Sequence, residues 1–83
     1  MSNIVSGRQL RAARILARLT QKQFANAVGV DERCIRYWEG KENELPTCVP
    51  DSLDRMEAAL LGCGVIVFAE PTAGARLARE RNG

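Results

Sequence analysis

Apolar residues recur at helical spacing in the first half of the chain and give way to a short continuous apolar run near its end. Placed at about 100° per residue, Leu10, Ala13, Leu16 and Ala17 fall on one side of a helix. Arg8, Arg11, Arg14 and Arg18 fall on the other, with Ile15 among them. Ser6-Gly7-Arg8-Gln9 has capping-box spacing, so this helix is predicted to start after Ser6 and run to about Arg18. Arg14 lies nearest the apolar edge, which suggests a packed ion pair. Thr20-Gln21-Lys22-Gln23 repeats the capping pattern and opens a second helix, with Phe24, Ala27 and Val28 on its apolar side. Gly29 suits the left-handed turn that ends it, and Asp31 can cap a third helix, Glu32 to Glu39, closed by Gly40.

Lys41 to Pro50 is polar and holds Pro46 and Pro50, so it reads as a loop. Asp51 or Ser52 is predicted to cap a fourth helix with Leu53, Met56, Ala59, Leu60 and Cys63 on one face, ending at Gly62 and Gly64. Val65 to Ala69 is β-branched and aromatic, which predicts a strand apolar on both faces. One face can cover the helices, and the other is expected to be covered by a second subunit. Ala75 to Arg81 suits either a hairpin strand across the Pro71-Thr72-Ala73-Gly74 turn or a short helix, with the strand favoured. The expected fold is mainly α, a four-helix bundle with a helix-turn-helix, followed by a short C-terminal strand or hairpin. Its divisions are a tail at 1–5, the helical domain at 6–64 and a dimerisation element at 65–83.

With 83 residues, the chain suits one domain near the lower size limit for a self-supporting core, which makes dimerisation attractive. Charge changes the picture through its distribution. Residues 1–41 carry eight basic and three acidic side chains, a balance of +5, and the remainder carries four basic and seven acidic, a balance of −3. A basic N-terminal half suits a polyanionic partner. Cys34, Cys48 and Cys63 are widely spaced and there is no histidine, so reduced thiols and no metal or other cofactor are expected. The absence of histidine, of a glycine-rich phosphate loop and of a nucleophile beside a base argues against an enzyme. No apolar run is long enough to span a bilayer, and Met1 to Val5 is too short for a signal peptide, so a cytoplasmic location is expected.

The span from Gln21 to Gly40 carries the functional expectation. Ala25 is small where two helices would cross, while Val30, Ile35 and Trp38 would bury the inner side of the turn and third helix against Phe24 and Val28. Glu32, Arg33, Arg36 and Tyr37 span roughly 140° of the opposite face and form the candidate base-reading surface. Arg33 or Arg36 suits guanine O6 and N7, Glu32 suits cytosine N4, and Tyr37 suits a thymine methyl or a phosphate. Thr20, Gln21, Lys22 and Lys41 are the candidate phosphate contacts.

These residues resemble the Cro/CI-type (XRE) helix-turn-helix family. The pattern RxLRxARxxAxLTQxxFAxxVGV, followed by IxxWEG, is matched from Arg8 through Gly40. The resemblance implies four or five helices, with the third in the major groove of operator DNA, and a homodimer on a two-fold site. It implies Gln21 at a phosphate, Glu32, Arg33 and Tyr37 at base edges, and an ion pair from Arg14 to Glu39. The expected function is a sequence-specific, double-stranded DNA-binding transcriptional regulator. It would act as a homodimeric repressor, or repressor-activator of its own promoter, reading an inverted repeat. The stretch after Gly40 is longer than in many members, and VIVFAE stands where a fifth helix is usual, so the dimer contacts are assigned to Leu61, Val65, Ile66, Val67 and Phe68 from their apolar character. The alternative expectation is a protein-interaction module, an antitoxin or antiactivator, docking a protein partner through the same strand and Leu61.

Overall fold

The computed structural model describes residues 3–41, 50–70 and 72–78. It is mainly helical and ends in a two-stranded antiparallel sheet. The elements are α1 (Gly7–Leu16), α2 (Gln21–Val28), α3 (Glu32–Glu39), α4 (Pro50–Gly62), β1 (Val65–Phe68) and β2 (Gly74–Leu77). Of the Lys41 to Pro50 stretch only its two end residues are among the described residues. Cys48 and positions 79–81 of the last segment also lie outside them.

Ser6 caps α1, its Oγ accepting from the Gln9 N–H at 3.1 Å. The reciprocal half of the expected capping box is not made, because Gln9 is drawn into the protein. Its Oε1 accepts from the Val5 N–H at 2.7 Å, and its Nε2 approaches the carbonyls of Asn3, Phe68 and Gly74 at 3.0, 2.8 and 3.1 Å. The helix closes at Leu16, short of the expected Arg18. Arg18 takes φ 62°, and the N–H groups of Arg18 and Leu19 donate back to the carbonyls of Ile15 and Arg14 at 2.9 and 3.2 Å. This left-handed termination turns the chain early and leaves Leu16 exposed, while Leu10 and Ala13 stay in the core.

The capping box of α2 is complete. The Thr20 Oγ1 accepts from the Gln23 N–H at 3.0 Å and the Gln23 Oε1 from the Thr20 N–H at 2.9 Å. Phe24, Ala25 and Val28 are its buried residues. Ala27, expected on that side, is exposed, since the buried arc centres between Phe24 and Ala25 and Ala27 lies about 100° from its middle. Gly29, at φ 90°, ends α2 in a conformation that strains any side-chain-bearing residue, and Asp31 caps α3 after a single intervening residue.

Helix α4 begins at Pro50, so Asp51 and Ser52, expected as caps, fall in its first turn. Proline suits the first helical position, where its fixed φ is already helical and its missing N–H would have had no helical acceptor. Met56 and Leu60 are fully buried, and Leu53 and Ala59 are half-buried. Cys63, expected on the same face, is exposed because α4 stops at Gly62 and the chain turns towards β1.

The hairpin pairs Val65 with Leu77, Ile66 with Arg76, Val67 with Ala75 and Phe68 with Gly74. Opposed residues share a face. Val65 and Val67 point into the core, and Ile66 and Phe68 are half-buried on the other side. Gly74 is required by close approach, since a Cβ there would lie 2.9 Å from Cζ of the Phe68 ring. Helix α1 packs on both strands and on α3, while α4 joins α2 to β1.

One core unites all of this: Leu10, Phe24, Ile35, Met56, Leu60 and Val65 are its largest fully buried side chains. Burial of each contributes roughly 1.5–3 kcal/mol. The hairpin therefore shares the helices' core instead of forming an appended element. Ile4, expected in a tail, is only 3% exposed, and the Asn3 N and Nδ2 donate to the Glu57 carboxylate at 2.8 and 3.1 Å. Ile4 is thus packed and Asn3 is tied to α4, while Val5 stays exposed.

Candidate nucleic-acid interface

Helix α3 has two unlike sides. Ile35 and Trp38 face the core, with Val30 half-buried beside them, whereas Arg33, Arg36 and Tyr37 are exposed and Glu32 is half-buried. The exposed cations are held by nearby partners. The Asp31 Oδ1 accepts the Arg33 N–H at 2.8 Å, capping the helix, and the Arg33 guanidinium folds back onto the same carboxylate at 3.2 and 3.3 Å. Arg36 reaches Glu32 one turn earlier at 3.4 Å. Lys41 Nζ stands 4.9 Å from the centre of the Tyr37 ring, a cation–π contact that brings together one candidate base contact and one candidate phosphate contact.

The Arg33 side-chain hydrogen bond, then its backbone N–H, hold the Asp31 carboxyl below its usual range, and the same side-chain bond raises the Arg33 guanidinium. Both side chains are exposed, so the pair is one that an incoming acceptor can open at small cost.

The Arg14–Glu39 pair has a different character. Arg14 Nε and Nη2 donate to the two Glu39 oxygens at 2.6 and 3.2 Å, and Nη1 donates to the Leu19 carbonyl at 2.8 Å. The side chains are 13% and 5% exposed. This fork ties the last turn of α1 to the last residue of α3, so α3 is anchored at its C-terminal end as well as by its core face. Gln21 Nε2 joins the pair, donating to the Glu39 Oε1 at 3.2 Å. The start of α2 is thereby set against the end of α3.

Of the four candidate phosphate contacts, Gln21 is half-buried and partly engaged, and the Thr20 oxygen is committed as a cap acceptor. Lys22 and Lys41 are exposed. Reasoning from sequence missed Arg11, which lines a depression of about 410 Å³ with Arg14, Gln21, Arg36, Glu39 and Gly40. Its signal was present in the spacing, because Arg11 lies one helical turn before Arg14 on the same face of α1.

The dimer assignment needs correction at two positions. Val65 and Val67 are consumed by the protein's own core, since the pleat turns alternate residues of β1 inward. Leu61 is 59% exposed and Leu77, unassigned from sequence, is 44% exposed. Ile66 and Phe68 are half-buried on the outward face of β1, whereas Leu77, opposite Val65, lies on the other face of the hairpin.

Among the described residues no cluster of His, Cys, Asp or Glu can hold a metal ion, and no helix is long and apolar enough to cross a membrane. Cys34 and Cys63 are free thiols. No protein-family model matches the chain, and no curated protein matches it.

Proposed function

We propose that this protein is a sequence-specific, double-stranded DNA-binding transcriptional regulator of the Cro/CI type. It is cytoplasmic and acts as a homodimer on an inverted repeat, as a repressor or as a repressor-activator. The observation that carries the reading is the division of α3. Its apolar side is fixed in the core and its C-terminus is clamped by Arg14, while Glu32, Arg33, Arg36 and Tyr37 project from its other side. A rigid helix with an outward polar edge is what major-groove readout requires.

On binding, Arg33 exchanges its Asp31 partner for guanine O6 and N7. Each surface pair is worth roughly 0–1 kcal/mol, and a good bidentate base contact supplies roughly 1–3 kcal/mol of discrimination, so the exchange is favourable at the right base pair. Asp31 and Glu32 add repulsion towards phosphates, which weakens binding where no base contact compensates. Thr20, Gln21, Lys22 and Lys41 fix the register on the backbone. Ile66 and Phe68, with the exposed Leu61, meet their counterparts across the two-fold axis.

Selection of bound fragments from random duplexes, followed by gel-shift titration, tests this. Arg33→Ala is expected to lose about 1–3 kcal/mol of affinity for the selected site and to relax its preference at one base pair. Wild-type affinity and preference in Arg33→Ala would overturn the assignment of the reading face. The exposed Leu61 and Leu77 also favour a second reading, in which the chain docks a protein partner as an antitoxin or antiactivator does. A stable heteromer in place of a homodimer on purification from the native host would select it.

A further inference from the structure

We infer that Arg11 is a backbone-phosphate contact, and that the depression between α1, the start of α2 and the end of α3 is the seat of one phosphodiester of duplex DNA. This rests on the DNA-binding reading above and adds Arg11 to the backbone contact that it gives Gln21.

Three guanidinium groups, those of Arg11, Arg14 and Arg36, line the depression against a single carboxylate, that of Glu39. The carboxylate is already saturated, one oxygen taking Arg14 Nε and the other taking Arg14 Nη2 and Gln21 Nε2. Arg14 in turn spends its remaining nitrogen on the Leu19 carbonyl. The buried pair therefore forms a neutral floor, and the excess positive charge resides at Arg11 and Arg36 on the rim. Arg36 keeps a long, exposed contact with Glu32. Arg11 is exposed and makes no ion pair among the described residues. Two forked donors above a neutral floor suit a ligand with two equivalent anionic oxygens, which is the chemistry of a phosphodiester. The seat adjoins the reading helix, so a phosphate held there would set how far α3 enters the groove.

The probe is a fluorescein-labelled 30-bp duplex of random sequence, followed by anisotropy between about 50 and 200 mM salt. Each phosphate contact contributes roughly 0.9 to the slope of log affinity against log salt. Arg11→Gln is expected to reduce the slope by roughly 0.9 per subunit and to weaken binding about tenfold per subunit near 0.1 M salt. Arg11→Lys, which keeps the charge, is expected to retain the slope. A slope and affinity unchanged in Arg11→Gln, while Arg33→Ala still loses its sequence preference, overturn this inference and leave the DNA-binding reading standing. A wild-type protein that binds no duplex overturns both.

Discussion

The α1–α3 unit and the α4–hairpin unit share a core but solve different problems. In the first, Ile15, Leu16 and Tyr37 stay exposed beside a largely basic outward surface, with several cations held by partners close in sequence or across one turn. In the second, Leu61 and Leu77 stay exposed, and Ile66 and Phe68 are half-buried. The contrast extends to how each is held. Helix α3 is fixed by Ile35, Trp38 and the Arg14–Glu39 fork, whereas the hairpin borrows a polar anchor from the other unit, the Gln9 amide at the Phe68 and Gly74 carbonyls. A reading surface benefits from rigidity supplied locally. A surface left apolar after folding is one that a second chain can cover.

The largest effect should come from Glu39→Ala, which leaves the Arg14 guanidinium without its carboxylate in a largely buried site and is expected to cost about 3 kcal/mol in urea unfolding. If the loss is under 1 kcal/mol, α3 does not depend on the fork and the contrast in anchoring weakens. Gln9→Ala should cost about 1 kcal/mol by removing the amide from half-buried carbonyls, and amide exchange should quicken in β1 and β2 before it does in α2 and α3. Uniform exchange throughout would mean that the two units open as one. Ile66→Asp should change monomer stability by less than about 1 kcal/mol, since its site is only half-buried, yet shift sedimentation equilibrium from dimer to monomer.

The smallest effect concerns pH. The Asp31 carboxyl is lowered by the Arg33 side-chain bond and then by its backbone N–H, so its cap is fully present above the ordinary carboxylate value of 3.8. It is lost as pH falls below 3.8 through the lowered value. The difference in melting temperature between wild type and Asp31→Asn should be seen above that range and vanish below it.

From Thr20 to Gly40 the caps and the turn were legible in the residues alone. Thr20 with Gln23, Gly29 and Asp31 act on backbone groups a few residues away, so their caps and turn are legible without knowing the fold. The periodicity of Phe24, Val28, Ile35 and Trp38 likewise separates the two sides of α2 and α3, because a helix converts spacing into direction. The β-branched run and the turn after it favoured pairing with the segment from Ala75 over a short helix, but left open which face of β1 would be inward. Tertiary structure decided that face, the fate of Ala27 and Cys63, and the packing of Ile4. Each depends on which surfaces are close across the fold, and sequence spacing carries no information about distance between elements. Gln9 is the clearest case: its spacing from Ser6 marks a capping partner, but carbonyls 59 and 65 residues away offered it acceptors, and the side chain turned to them. Arg11 and Arg36 were each visible as exposed cations on their own helices, and only the packing of α1 against α3 made them the two rims of one depression.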